Sequence, residues 1–214
     1  MADLVLGAGG AAAEAYTIDQ SLRFDDGDSA YLERTFTSAG NQTTWTYSGW
    51  VKLGGIDTGL HQTLLAEFTD SNASFFIGFL NSNVIEVWGE VSNSTLCQLD
   101  TTAKYRDPGA WLHVVVAFDT GNATEADRVR IYVNGDRVTD FTTETTVSTP
   151  DQEGSVNSAN PHRIGQYNSN NYLDSYLAEV YFIDGQALDP DSFAETDDTT
   201  NQWKPIDASG LTFG

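Results

Sequence analysis

Nothing in this sequence limits its folding more than the run from Trp111 to Asp119, Trp-Leu-His-Val-Val-Val-Ala-Phe-Asp. It is apolar almost throughout, and its consecutive valines favour extended backbone over helix. Such a run is expected of a central strand buried on both faces of a sheet. Arg128 to Val133 follows with alternating apolar and polar residues, and then Asn134-Gly135. That dipeptide favours a type I′ turn, which folds the strand back onto Asp136 to Val138 as a hairpin. Segments 111–119 and 128–138 are therefore predicted to lie side by side as antiparallel ribbons.

Strand-like segments recur on both sides. Tyr16–Phe24, Ala30–Phe36, Trp45–Leu53, Thr63–Phe68, Ser74–Leu80 and Val84–Val91 precede the central run, Ser94–Asp100 alternates, and His162–Tyr167 and Tyr176–Ile183 close the series. One short helix is predicted, with Asp189 as cap, Pro190 in the first position and Asp191 to Glu195 as its turn. Strands at this spacing, without intervening helices, predict an all-β sandwich of two antiparallel sheets. With 214 residues and 40% hydrophobic content the chain can fill one core, and residues 16–214 are assigned to a single domain. The Gly/Ala-rich residues 1–15 are predicted to form a flexible arm, either a plain leader or an anchor for a partner subunit.

The chain carries 31 acidic and 10 basic residues, a formal net charge of −21. Such a surface repels phosphate backbones and anionic lipid heads, so neither nucleic acid nor membrane is an expected partner. Lysine is scarce (Lys52, Lys104, Lys204), and excess aspartate suits a salty medium that screens surface repulsion. Cys97 is the lone cysteine and stands in an alternating strand, as expected of a buried thiol. No apolar run reaches the length of a bilayer span. Met1 to Gly7 has no basic region of a secretion signal, so synthesis in the cytoplasm and release by lysis are expected. The sequons at Asn41, Asn72, Asn93 and Asn122 are then not expected to be glycosylated.

Four stretches stand in a telling order: Ser21–Leu32, Trp45–Lys52, Trp111–Ala117 with Ile131–Gly135, and Ile164-Gly165 with Leu177–Leu188. Together they resemble the laminin-G-like, concanavalin A-like lectin family, and the resemblance implies a jelly-roll β-sandwich. The wording of Asp19–Phe24, Trp45–Lys52, Ala178–Leu188 and Trp203–Pro205 is similar to that of structural proteins of tailed, especially marine, bacteriophages. That similarity implies a protein of the virion surface, made in the host cytoplasm: a head decoration, head fibre or tail appendage. It further implies a homo-oligomer held to major capsid or tail proteins through residues 1–15 and able to meet host surface polysaccharide.

Glucanases of the same class carry acids spaced Glu-x-Asp-x-x-Glu, which puts alternate side chains beside a glycosidic bond. The nearest string here, Glu125 to Arg130, ends in arginine. Neither a Gly-x-Ser-x-Gly elbow nor a His-Glu-x-x-His motif is present, so no enzyme is expected. His113 lacks a partner motif and is expected to be a hydrogen-bonded core or edge residue, with Trp50 and Trp111 as core anchors. No cofactor is required. Asp25, Asp26 and Asp28 offer hard oxygens on one turn, and the resemblance adds Glu179 to a structural calcium site; a solvated acidic turn is the alternative. For a glycan, Trp88 offers a stacking face, and the loop residues Tyr167, Asn168, Asn170, Asn171 and Tyr172 offer rings and amides. The alternative is an Asn-rich loop whose side chains cap their own backbone.

Overall fold

The computed structural model describes residues 16–56, 59–70 and 73–213; the predicted arm, residues 1–15, lies outside them. In chain order the first strands are β1 (Leu22–Phe24), β2 (Leu32–Thr35), β3 (Thr44–Leu53), β4 (Gln62–Asp70), β5 (Ala73–Phe79) and β6 (Ile85–Val91). Next come β7 (Ser94–Thr101), β8 (Leu112–Asp119), β9 (Val129–Val133), β10 (Asp136–Arg137), β11 (Phe141–Thr145) and β12 (Pro161–Ile164). The last are β13 (Gln166–Tyr167), β14 (Asn171–Tyr172), β15 (Ser175–Asp184), β16 (Ala194–Thr196) and β17 (Trp203–Pro205). A 6-stranded sheet runs β1-β15-β3-β8-β9-β10, and a 7-stranded sheet runs β11-β7-β6-β5-β4-β12-β2. The pairings are antiparallel, and the two sheets stack as a jelly-roll sandwich.

The apolar run of the sequence is β8, enclosed between β3 and β9. Val114 pairs with Val133 and Val116 with Ile131, so the two ribbons lie side by side. Asn134 at φ 52° and Gly135 at φ 87° make the turn that joins β9 to β10.

The core fills the space between the sheets. β3 contributes Trp45, Tyr47 and Val51, and β8 contributes Val114, Val116 and Phe118. Phe75 and Ile77 of β5 and Ile85 and Val87 of β6 face them. Trp45 stacks on Phe118 with ring centroids 4.9 Å apart and meets Phe75 edge-on at 5.4 Å. Burying each such aromatic stabilises the fold by about 2–3 kcal/mol. Cys97 is buried in the same core, and burial pushes its thiol up to about 12. A thiol held protonated in this way is inert.

His113, Val115 and Ala117, the alternate side chains of β8, are also buried, at 0% exposure. The chain after β15 covers the outer side of the 6-stranded sheet, bringing Phe193, Ala194 and Ala208 onto it. Trp203 of β17 closes this layer. Its Nε1 donates to His113 Nδ1 at 3.0 Å, and His113 Nε2 stands 2.9 Å from Ser48 Oγ. A ring nitrogen that accepts carries no proton, so His113 is the neutral Nε2–H tautomer and donates to Ser48. The rings of Trp50 and Trp203 stack on His113 at 4.9 and 6.1 Å. The β9–β10 turn fits under this stack. Asn134 Oδ1 accepts from His113 N at 2.9 Å, and a Cβ on Gly135 would lie 2.9 Å from the Trp203 ring. Gly135 therefore answers both to its positive φ and to the indole above it.

Two expectations are corrected. The predicted helix is a single 3-10 turn, Pro190–Ser192, and β16 begins at Ala194. The Asp189 carboxylate does not cap it but accepts from Tyr132 Oη at 2.9 Å, while Phe193, 2% exposed, is drawn onto the sheet. Trp50 is buried as expected, whereas Trp111 is only half-buried and packs against the margin of the outer layer.

Candidate functional site

The outer side of the 7-stranded sheet has a different character. Cross-strand partners share a face, so the register places Gln98, Trp88, Phe76, Ala66, Arg163 and Glu33 in one row across β7, β6, β5, β4, β12 and β2. Within β6, Glu86 and Glu90 flank Trp88 at alternate positions on that face. The small β13–β14 ribbon folds over the row. Thr63 Oγ1 donates to the Asn171 carbonyl at 3.0 Å, and Leu173 N donates to the Gly165 carbonyl at 2.9 Å. Tyr167 then lies among three rings, 5.5 Å from Phe76, 5.6 Å from Phe68 and 6.4 Å from Trp88. Both Trp88 and Tyr167 stay half-exposed.

Sequence named Trp88 and the 166–172 loop separately, and the fold brings Trp88 and Tyr167 together. It does not converge the rest. Tyr167 pairs with Asn171 and Gln166 with Tyr172, so Tyr172 projects from the opposite side of the ribbon. There it meets Tyr31 at 6.5 Å, and Arg163 lies over the Tyr31 ring at 5.4 Å. Asn168, at φ 53°, accepts from Asn170 N through its own Oδ1 at 3.0 Å. Asn168 thus does what an Asn-rich turn does, capping its own backbone. Asn170 is exposed at the tip, and Asn171 is half-buried at the ribbon's base.

Reasoning from sequence missed a pair of acids. Glu86 of β6 and Asp100 of β7 are direct cross-strand partners on the face that carries Trp88. Gln98 Nε2 spans them, 3.1 Å from Glu86 Oε1 and 3.4 Å from Asp100 Oδ2. Asp100 is only 8% exposed, and its Oδ1 is buried without a hydrogen-bond donor. Burial foremost, and then the charge and contact of Asp100, push Glu86 up to about 7, against a small opposing pull from Gln98. Tyr167 is held above its ordinary value by burial, with the charges of Glu90, Glu86 and Glu67 adding to it. The pairing depends on a bulge. The tight turn at Ser92 and Asn93 starts the register Val91↔Ser94 and Glu90↔Thr95, and it then shifts so that Gly89 meets Cys97. The extra residue, Leu96, enters the core together with Cys97. Alternation along 84–91 and 94–100 would have placed each acid on a face; only the bulge sets them opposite each other.

The acidic turn between β1 and β2 divides differently from expectation. Asp25 and Asp26 come together with Asp174, their ligand oxygens within 4.8 Å of one another. Asp28 and Glu179 are not members of that group; Glu179 instead accepts from the Tyr181 hydroxyl. Three carboxylates suit a calcium ion by donor type. Two of them already have partners: Arg23 pairs with Asp174 at 2.5 Å, and Asp25 Oδ1 accepts from Gly27 N at 2.9 Å.

A cleft of about 440 Å³ lies on the other side of the sandwich, lined by Trp50, Trp111, Trp203, Lys204 and residues 16–21. Two of its tryptophans belong to the stack on His113, and residues 1–15 lie outside the described part. Among the described residues no helix is long and apolar enough to cross a membrane.

A laminin-G-type family model, described as the concanavalin A-like lectin/glucanases superfamily, matches residues 25–192. No curated protein matches the sequence. Among solved structures, the native heptameric SAP-like pentraxin of Limulus polyphemus aligns with a TM-score of 0.50 at 12% identity, over 74% of this chain and 70% of that one. The CBM40 of Ruminococcus gnavus IT-sialidase, solved with α2,3-sialyllactose, aligns at 0.46 and 13% identity, over 82% of this chain and 96% of that one. A botulinum neurotoxin type C structure aligns at 0.48 and 13% identity, over 70% of this chain and 34% of that one. At such identities the pentraxin's likeness is one of fold. Paired 6- and 7-stranded sheets around one core, and a family match spanning most of the chain, make this protein a member of the concanavalin A-like lectin/glucanases superfamily.

Proposed function

We propose that this chain is a non-catalytic carbohydrate-binding domain displayed on the exterior of a tailed-virus particle. The observation that carries the binding role is the meeting of half-exposed Trp88 and Tyr167 on a partly covered sheet face, beside the hydrogen-bonding groups of Gln98 and Glu86. Half-exposed rings offer apolar faces to a sugar, and adjacent amide and carboxyl groups orient its hydroxyls. The non-catalytic part is supported by the spacing of the acids. Glu86 and Asp100 are cross-strand partners with the Gln98 amide bridging them, so the gap of about 5 Å or more that admits a glycosidic bond in a cleaving pair is filled here. The particle setting is supported by the phage-like wording and by the net charge of −21, which disfavours contact with packaged nucleic acid.

A glycan array tests the binding role. At least one oligosaccharide class should bind, and Trp88→Ala should weaken it tenfold or more with unchanged circular dichroism; a flat array at high protein concentration overturns it. Turnover of laminarin, agar or alginate would overturn the non-catalytic part. Antibody that labels intact particles supports the exterior setting, and particles without the protein refute it. A structural calcium at Asp25, Asp26 and Asp174 belongs to the same proposal. A chelator should lower the melting temperature, and an unchanged value removes the ion.

A further inference from the structure

We propose that the ligand of the Trp88–Tyr167 face carries a free amine, as in oligomers of a 2-amino sugar, and that Glu86 and Asp100 receive its ammonium group. This rests on the reading of that face as a sugar site. The charge around it excludes other classes. Trp88 is bracketed by Glu86 and Glu90 on its own strand, with Asp100 beside Glu86 on the next. The strands of this sheet turn one arginine to the same face, Arg163, and its guanidinium is committed to Glu33 at 2.7 Å and to the Tyr31 ring. A sialic or uronic acid would meet uncompensated negative charge.

A neutral sugar fits the rings but leaves the pair as it is. Asp100 Oδ1 is buried and without a donor, and Asp100 is more than nine-tenths buried. Such an oxygen calls for a proton or a cation close by. In the free protein the neighbouring Glu86 carboxyl is held protonated near neutrality. An ammonium seated at the half-exposed Glu86 brings three donors and a full positive charge beside Asp100, and charge-assisted hydrogen bonds of this type are about twice as strong as neutral ones. Binding at neutral pH then transfers the Glu86 proton to solvent: the carboxyl O–H bond breaks, the carboxylate keeps the electron pair, and the buffer takes the proton.

The test compares fully deacetylated and fully N-acetylated glucosamine tetramers at pH 6 in 0.5 M sodium chloride, where general attraction to an acidic protein is screened. The deacetylated tetramer should bind at least tenfold tighter. Glu86→Gln, at a half-exposed position that tolerates the change, should abolish that preference. Equal binding of the two tetramers overturns the inference and leaves the sugar site standing. A preference that survives Glu86→Gln, or is indifferent to Trp88→Ala, overturns it as surface attraction. If neither tetramer binds while another glycan does, the amine class is wrong; if no glycan binds at all, the sugar site falls first and this inference with it.

Discussion

The sandwich has two outer faces, built from the same alternation and put to opposite uses. On the 6-stranded sheet the outward residues are Ser48, Trp50, His113, Val115 and Ala117, and the C-terminal chain seals them in. On the 7-stranded sheet they are Glu86, Trp88, Glu90, Gln98 and Asp100, and only the short β13–β14 ribbon reaches across. On each face a titratable group is shifted towards its neutral form. His113 is lowered to about 4 by burial, and Glu86 is raised to about 7. Both shifts hold the group neutral. On the sealed face the neutral group completes a structural stack; on the open face it is within reach of a ligand. The difference shows that an alternating strand does not decide whether its second face is core or surface: the chain beyond the sheet decides.

The largest test of this contrast removes one indole from each face. Trp203→Ala should cost about 2–4 kcal/mol, since it opens a cavity and leaves His113 Nδ1 without a donor. Trp88→Ala should cost under about 1 kcal/mol in the same denaturant titration, because its site is already half in water. Equal losses would erase the distinction between sealed and open. Acid comes next. The folded state disfavours protonated His113, so its contribution is whole above pH 6.5 and drains away as pH falls towards 4, about 2–3 kcal/mol in all. His113→Gln should flatten that limb. Glu86 has the reverse sign. Its contribution is present below pH 4.5 and is lost as pH rises through about 7, on the order of 1–2 kcal/mol after allowing for partial exposure. Glu86→Gln should remove the alkaline loss, and a stability curve unmoved by the substitution would show that the acid pair is not coupled to folding. The smallest effect belongs to Asn168→Gly, which keeps the left-handed turn and should change both stability and glycan affinity by no more than about 0.5 kcal/mol. A larger loss of affinity would mean that Asn168 serves the ligand rather than its own loop.

Much of the sandwich was legible in the residues. β3, β5, β6, β8 and β9 appear as alternation or apolar runs because each faces a core, and Asn134-Gly135 fixed a turn through backbone sterics alone. β11 was not legible, since Phe141-Thr-Thr-Glu-Thr145 lies at a sheet edge and has almost no apolar face to show. β16 and β17 escaped because their residues gain burial only by folding onto a distant sheet. At the candidate site, Trp88 and Tyr167 were named from residue type, but their meeting depends on the ribbon crossing β4 and β5. Tyr172 could not be separated from Tyr167 without the pairing inside that ribbon. The acid pair was hidden for a sharper reason: Glu86 and Asp100 are joined by a register that no local pattern encodes.

That register hangs on Leu96. Were Leu96 to take a place in the ladder opposite Gly89, Cys97 would pair with Trp88 and the parity of β7 would reverse. Gln98 and Asp100 would then turn inward, and Cys97 and Leu99 would face water. Along this hairpin, relatives of equal composition that bulge at a different residue would differ in what they can hold. A point-mutation survey would not reveal it, because every side chain of the site would still be in the sequence.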